Sequence, residues 1–189
     1  KDEEIPQNIR LAYEKIHNFP NYPFASSKGI FIPAFQKSGG TYFTTTLSEI
    51  LHKPKFLQDF IYGYDFDFTQ FSSLRQGYIV SNHVLASVKI IAFCKVYKIR
   101  PIFLYRDIFE CLVSKLNFDA SAYENKLLSR DFSQNLTSNV DITVFENAFH
   151  YLKLFHSWNF WSQFVRVGFL DFHRITNDIE GSIKNTLRF

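Results

Sequence analysis

Residues 29–51, GIFIPAFQKSGGTYFTTTLSEIL, constrain the fold of this chain more than any other stretch. The segment opens with a short apolar run at 29–35, which is the pattern of a buried strand. A turn containing a lysine, a serine, two glycines and a threonine follows at 36–41, and from 42 to 51 the apolar residues recur at helical spacing. The pattern predicts a strand, a tight loop and a helix in direct succession.

A loop of this composition can hold a phosphate group. The first turn of a helix has backbone N–H groups without intrahelical partners, and the helix dipole favours an anion there. Gly39 and Gly40 let the backbone approach a ligand closely, Lys37 adds a positive charge, and Ser38 and Thr41 add hydroxyl donors. The order differs from the triphosphate motif GxxxxGK[ST], in which the lysine follows the glycines. The alternative is an ordinary turn that binds nothing.

Composition limits the class of protein. The 189 residues predict one domain, 1–189, and the 46% hydrophobic and 19% aromatic content excludes a disordered chain. The net charge of +3 fits an anionic small ligand, whereas no dense Lys/Arg run indicates nucleic acid as a partner. Oligomeric state is left open by the composition.

The two cysteines, Cys94 and Cys111, have neither a disulfide framework nor metal-ligand spacing, so we expect buried free thiols and no metal. No apolar run is long enough for a membrane span, and no signal sequence opens the chain. The expected localisation is cytoplasmic, with a removed targeting or anchor segment as the alternative.

Strands and helices alternate along the predicted chain. Further strands are predicted at 77–83, 101–105 and 165–170, and helices at 9–16, 86–97, 108–117, 144–164 and 178–189, with a polar loop at 118–140. The aromatic stretch 56–71 fits either a strand or an irregular loop, in core packing or in an apolar acceptor pocket. The alternation predicts an α/β fold with a parallel central sheet and helices on both faces.

Polar side chains follow two of these strands. His83 ends one strand, Arg106 follows the next, and Ser114 lies eight residues beyond Arg106, about two turns into a helix. Ligands bind beyond the carboxyl ends of strands in open parallel sheets, and a guanidinium with a hydroxyl can hold a phosphate. The alternatives are a structural histidine, and an arginine that pairs with Asp107 or Glu110 at the surface.

These motifs together resemble the PAPS-dependent sulfotransferases. KSGGT at 37–41 resembles the family's 5′-phosphosulfate loop, usually PKSGTTW; SNHV at 81–84 resembles the segment of its catalytic histidine; and IFLYRDIFECLVSKL at 102–116 resembles its 3′-phosphate motif. Ser157-Trp158, Asp171 and the closing helix resemble the family's next segment, so that the resemblance spans about 29–189. It implies a P-loop-like sulfotransferase fold.

The resemblance also implies a role for each site residue. Lys37 would contact the sulfuryl group and the leaving oxygen, and His83 would be the general base for the acceptor. The implied co-substrate is PAPS, the product is PAP, no metal takes part, and the acceptor is a hydroxyl or amine of a small molecule or glycan. The implied PAPS-binding residues are Lys37, Ser38, Gly39, Gly40, Thr41, Tyr42, Arg106 and Ser114, with Ser114 and Arg106 on the 3′-phosphate and Tyr42 on the adenine.

The chain departs from the family in several places. Pro33 lies further upstream than the family's proline, Tyr42 replaces a tryptophan, and LDFH at 170–173 replaces a Tyr-Glu-Asp stretch. The family's basic, glycine-containing loop that completes the 3′-phosphate site has no counterpart here, so we expect a domain that lacks its C-terminal segment. Either that segment is trimmed or disordered, or the protein lacks half of the 3′-phosphate site, which would weaken cofactor binding. A P-loop kinase or other nucleotide-binding enzyme, and an inactive PAP-binding module of the same fold, are the competing interpretations.

Overall fold

A computed structural model describes residues 29–57, 73–74, 76–96, 99–127 and 136–188. Its strands are β1 (Ile30–Pro33), β2 (Lys55–Leu57), β3 (Ile79–Asn82), β4 (Ile102–Tyr105) and β5 (Gly168–Asp171). Its helices are α1 (Gly40–Leu51), α2 (Val88–Val96), α3 (Ile108–Leu127), α4 (Leu136–Trp161), α5 (Phe172–Asn177) and α6 (Ile179–Arg188).

All strand pairs of the described chain are parallel. β3 lies between β1 and β2, and β4 pairs with β5. A parallel bridge between Ala34 and Leu104 connects β1 to β4, so the strands follow the spatial order β2-β3-β1-β4-β5. This arrangement confirms the predicted α/β class with parallel pairing.

Helices cover both faces of the sheet. Successive residues of a strand point to opposite faces, so neighbouring residues belong to different core clusters. Phe31, Val80 and Phe103 belong to a core cluster with residues of α2, α3 and α4. Their neighbours along the strands, such as Ile32 and Ile79, belong to a second cluster with residues of α1, α5 and α6. Three of the described helices therefore pack against each face of the sheet.

The structure differs from the predicted secondary structure most extensively in residues 118–140. The polar composition of this segment predicts a loop, yet α3 continues to Leu127 and α4 begins at Leu136, so that prediction was wrong on both sides of 128–135. α3 and α4 contact one another, and tertiary context of this kind can override weak local propensity. The predicted fourth strand is also shifted, to 168–171, and the short helix α5 was not predicted.

The sequence of the aromatic stretch 56–71 fitted either a strand or a loop. In the structure its first two residues belong to β2, which covers 55–57. The remainder of that stretch and the helix predicted at 9–16 lie outside the described residues. Both cysteines are buried free thiols, as predicted, and burial raises the pKa of Cys111 to about 12. Within the described ranges, no helix has both the length and the apolar character needed to cross a membrane.

Candidate functional site

The order of the strands creates a crevice at the carboxyl ends of β1 and β4. These strands are neighbours, but the connection from β1 leads towards β2 at one edge of the sheet, whereas the connection from β4 leads to β5 at the other edge. Adjacent strands with diverging connections form a topological switch point, where open α/β sheets bind their ligands. The loop after β1 carries Lys37, and Arg106 follows β4 directly.

The loop after β1 folds back on itself. Both the backbone N–H and the hydroxyl of Ser38 donate to the carbonyl oxygen of Phe35, at 3.2 and 2.6 Å. Ser38 is completely buried, whereas Lys37 has a left-handed backbone with φ of 63°. The loop therefore directs Lys37 and Ser38 to different surroundings, and the serine hydroxyl serves the loop itself.

Glycines occupy the N-cap and the first position of α1, where a side chain would collide at Gly39 and be tightly packed at Gly40. Gly39, the N-cap, has φ of 86°, and a Cβ on it would lie 2.3 Å from the Phe172 ring. A Cβ on Gly40 would lie 3.1 Å from Ser81 Oγ. Gly39 provides no side-chain cap, and the Phe43 N–H makes the first helical hydrogen bond, to the Gly39 carbonyl. The preceding N–H groups of the first turn are therefore the donors that a helix offers to an anion.

His83 follows β3 and is held by the end of β1. Its Nδ1 lies 2.7 Å from the carbonyl oxygen of Ala34, and its backbone N–H donates to the side-chain oxygen of Asn82 at 2.6 Å. A carbonyl oxygen only accepts hydrogen bonds, so Nδ1 carries the proton in this contact. In the neutral ring, Nε2 is then the basic nitrogen.

Helix α4 fixes the segment that follows His83. The buried Trp158 donates from its indole nitrogen to the Val84 carbonyl at 2.9 Å, and the Ser157 hydroxyl accepts from the Ala86 N–H at 3.1 Å. These two residues had been singled out by the family resemblance. Their contacts anchor the backbone immediately after the candidate base.

Arg106 is held on several sides. Its Nε donates to the Glu110 carboxylate at 2.7 Å, its Nη1 donates to the Lys37 carbonyl at 3.3 Å, and its guanidinium lies 4.5 Å from the centre of the Phe172 ring. The Tyr151 hydroxyl donates to its backbone carbonyl. The pairing with Glu110, the alternative to a phosphate-binding role for Arg106, is present. Arg106 is nevertheless only 22% exposed and faces the crevice.

One cavity collects these elements. It has a volume of about 640 Å³, within the usual size range of small-molecule sites. Among the predicted site residues, Ser38 alone is not part of the described lining of the cavity. The others line it: Lys37, Gly39, Gly40, Thr41, Tyr42, His83, Arg106 and Ser114. The structure thus brings together residues from three strand ends and two helices.

The lining of the cavity favours anions. Its described part contains the cations Lys37, Arg106 and Lys115 together with His83, and it contains no aspartate or glutamate. Aromatic rings also contribute, from Phe35, Tyr42, Phe118 and Phe172. Cations, helix N–H groups and rings together suit a ligand with several anionic groups and a flat, stackable ring system.

Sequence reasoning missed several lining residues. Phe118 lies one helical turn beyond Ser114 on the same side of α3, and Lys115 follows Ser114 directly, so helical spacing could have found both. Phe172 and Thr176 follow the carboxyl end of β5, so the rule applied to the other strands would have indicated them.

A second histidine lies near the site. His150, on α4, has its pKa lowered from the usual 6.5 by burial, then by the nearby His83 and Lys153. Its ring centre lies 6.1 Å from that of Phe35, a cavity residue.

Burial raises the pKa of Tyr151 to about 12, so that its phenol remains a hydrogen-bond donor to the backbone carbonyl of Arg106.

Comparisons of the chain with protein-family models, with curated proteins and with solved structures found no match. The function of the chain is therefore inferred from the chemistry of the site itself.

Proposed function

We propose that the protein is a PAPS-dependent sulfotransferase, which moves the sulfuryl group of PAPS to a hydroxyl or amine of a small molecule or glycan. The observation that carries the proposal is the convergence of Lys37, His83, Arg106 and Ser114 on one cavity. These residues come from three separate sequence motifs, and a cavity without carboxylates in its described lining suits the several negative charges of PAPS and PAP.

The loop and α1 would bind the 5′ end of the nucleotide. The N–H groups of Gly40, Thr41 and Tyr42 open the helix, where backbone dipoles stabilise a phosphate. The hydroxyl of Thr41 adds a donor from the exposed side of the helix. Ser38 would contribute by shaping the loop, because its hydroxyl and its N–H both bond to Phe35.

Arg106 and Ser114 would bind the 3′-phosphate. The guanidinium is fixed by Glu110 and by the Lys37 carbonyl, and such preorganisation lowers the entropy that binding costs. Lys115, next to Ser114, is a third cation of the cavity lining, besides Lys37 and Arg106. Charge-assisted hydrogen bonds from these groups would distinguish a 3′-phosphorylated nucleotide from one with a free 3′-hydroxyl.

Lys37 and His83 would carry the transfer. The acceptor oxygen attacks sulfur as the bond from sulfur to the bridging phosphate oxygen breaks, and PAP leaves. Nε2 of His83 accepts the acceptor's proton, because Nδ1 is committed to Ala34. The ammonium of Lys37 stabilises the negative charge that develops on the leaving oxygen in the transition state.

Calorimetric titration with PAP, with ATP–Mg²⁺ as the comparison, tests the proposal first. We expect micromolar binding of PAP that ATP does not compete away, followed by sulfate transfer from PAPS to a member of a broad acceptor panel. Tight ATP–Mg²⁺ binding that PAP cannot displace would instead identify a kinase-like enzyme. Normal PAP affinity without turnover on any acceptor would identify an inactive binding module.

A further inference from the structure

The side chain of Lys37 reaches across the cavity to helix α3. Its Nζ lies 3.3 Å from the centre of the Phe118 ring, and both residues line the cavity. The negative face of an aromatic ring attracts an ammonium at this distance. The contact therefore joins the loop after β1 to α3 through a cation and a ring.

The backbone of Lys37 is fixed independently of this contact. Its φ of 63° is uncommon for a residue with a side chain, and its carbonyl accepts a hydrogen bond from Arg106. A lysine stem of four carbons is intrinsically flexible, and holding it in place costs side-chain entropy. A partner at the far end of the stem determines where the charge lies.

Phe118 is well suited to be that partner. It is 48% exposed, so burial in the core does not explain its position. It lies one turn beyond Ser114, on the side of α3 that faces the cavity. A leucine there would give a comparable apolar contact, but it lacks the ring quadrupole that attracts a cation.

We propose that Phe118 is a positioning residue for Lys37. Its ring holds the ammonium inside the cavity before and during nucleotide binding. This inference rests on the proposed function for its catalytic consequence. The pairing itself is a property of the free protein and is tested separately.

The chain contains a matched control. Lys153 Nζ lies 4.4 Å from the centre of the Phe149 ring on α4, and Phe149 is 51% exposed. Neither of these residues belongs to the described lining of the cavity. The substitution Phe149→Leu thus removes the ring from a similar lysine–phenylalanine pair without touching the proposed site.

Nuclear magnetic resonance of the full chain, with lysine amines reductively methylated with ¹³C, tests the pairing without any substrate. Methyl groups above an aromatic ring resonate upfield, so we expect an upfield signal that Lys37→Arg removes. Phe118→Leu should return this signal to the ordinary lysine position, Phe118→Tyr should keep it, and Phe149→Leu should leave it unchanged. An ordinary Lys37 position in the wild-type protein would overturn the inference, whatever the enzyme assays show.

Kinetics then test the consequence. With the unmethylated proteins, Phe118→Leu should lower kcat about threefold to tenfold, while the Kd for PAP stays within about twofold and Phe118→Tyr restores kcat. If the Phe118→Leu variant and the wild type have the same kcat, Phe118 does not position Lys37 for catalysis. If the wild type neither binds PAP nor transfers sulfate, the proposed function fails, and the resonance of Lys37 still decides whether the pair exists.

Discussion

Nδ1 of His83 lies 2.7 Å from the carbonyl oxygen of Ala34, and this contact determines which nitrogen of the histidine can act as a base. Ala34 also carries the bridge from the end of β1 to Leu104 of β4. The residue that connects the two groups of strands thus also orients the candidate base and selects its tautomer.

His83→Ala should lower kcat by roughly 10²-fold or more and leave PAP binding nearly normal, because a general base acts on the acceptor. Steady-state kinetics and PAP calorimetry measure the two effects. His156→Ala is the control, since His156 is exposed on α4 and does not line the cavity. Parallel losses of kcat and PAP affinity would indicate that His83 has a structural role.

Arg106→Ala and Ser114→Ala should weaken binding of PAP more than binding of 5′-AMP, which lacks the 3′-phosphate. Loss of a hydrogen bond to a charged group costs about 1.5–3 kcal/mol, which corresponds to roughly tenfold to hundredfold in Kd for the arginine variant. Calorimetry with both nucleotides measures the difference, and Arg188→Ala on the exposed end of α6 is the control. An unchanged ratio of the two affinities would contradict the assigned subsite.

Lys115→Gln should weaken PAP binding by roughly twofold to fivefold, because a partly exposed charge contributes up to about 1 kcal/mol. The salt dependence of the affinity should also become less steep, since one cation fewer faces the ligand. Titrations at two ionic strengths measure both effects. Lys184→Gln is the matched control, because Lys184 is 60% exposed, pairs with Glu180 and does not line the cavity. If both variants behave alike, Lys115 does not contact the ligand.

Gly39→Ala should destabilise the protein for two reasons. The left-handed backbone at φ of 86° costs a residue with a Cβ about 1–2 kcal/mol, and that Cβ would collide with the Phe172 ring. Urea unfolding should show a larger loss than the backbone cost alone. In a protein that already carries Phe172→Ala, Gly39→Ala should lower the free energy of unfolding only by the backbone cost. If the losses from Gly39→Ala and Phe172→Ala simply add in the double variant, the collision is absent.

Stability should fall on mild acidification because of His150. Its folded pKa is lowered from 6.5, chiefly by burial, so the unfolded chain binds a proton there that the folded chain does not. The loss begins as the pH falls through 6.5 and is complete below the lower folded pKa. His150→Gln should therefore flatten the fall in urea-unfolding free energy between pH 7.5 and 5.5. The same pH dependence in both proteins would contradict this assignment.

The sequence was sufficient for those features that depend on neighbouring residues. The apolar runs at β1, β3 and β4, and the loop that opens α1, follow from local periodicity and glycine chemistry, and they are strands and a helix N-terminus in the structure. Their alternation also sufficed for the α/β class, because helix-connected strands pair in parallel. The placement of Lys37, His83 and Arg106 near one another followed from their positions at strand ends.

Tertiary contacts decided the rest. Local composition did not predict that α3 and α4 would extend through 118–127 and from 136 onwards, because tertiary context can override weak helix propensity. It also could not distinguish Ser38, which is turned inward onto Phe35, from Thr41, which faces the cavity. The backbone angles of a single loop decide between those two environments.

The strand order and the partners of each charge likewise required the fold. Residue types indicated a phosphate site as one of two interpretations, because lysine, arginine, glycine and hydroxyl groups at strand ends suit an anion but also occur in ordinary turns and surface ion pairs. Only the folded chain brings Phe118 to Lys37, Phe172 to Gly39 and Arg106, and the Ala34 carbonyl to His83. These contacts join residues far apart in sequence, and their formation depends on the pairing of strands and the packing of helices rather than on any local pattern.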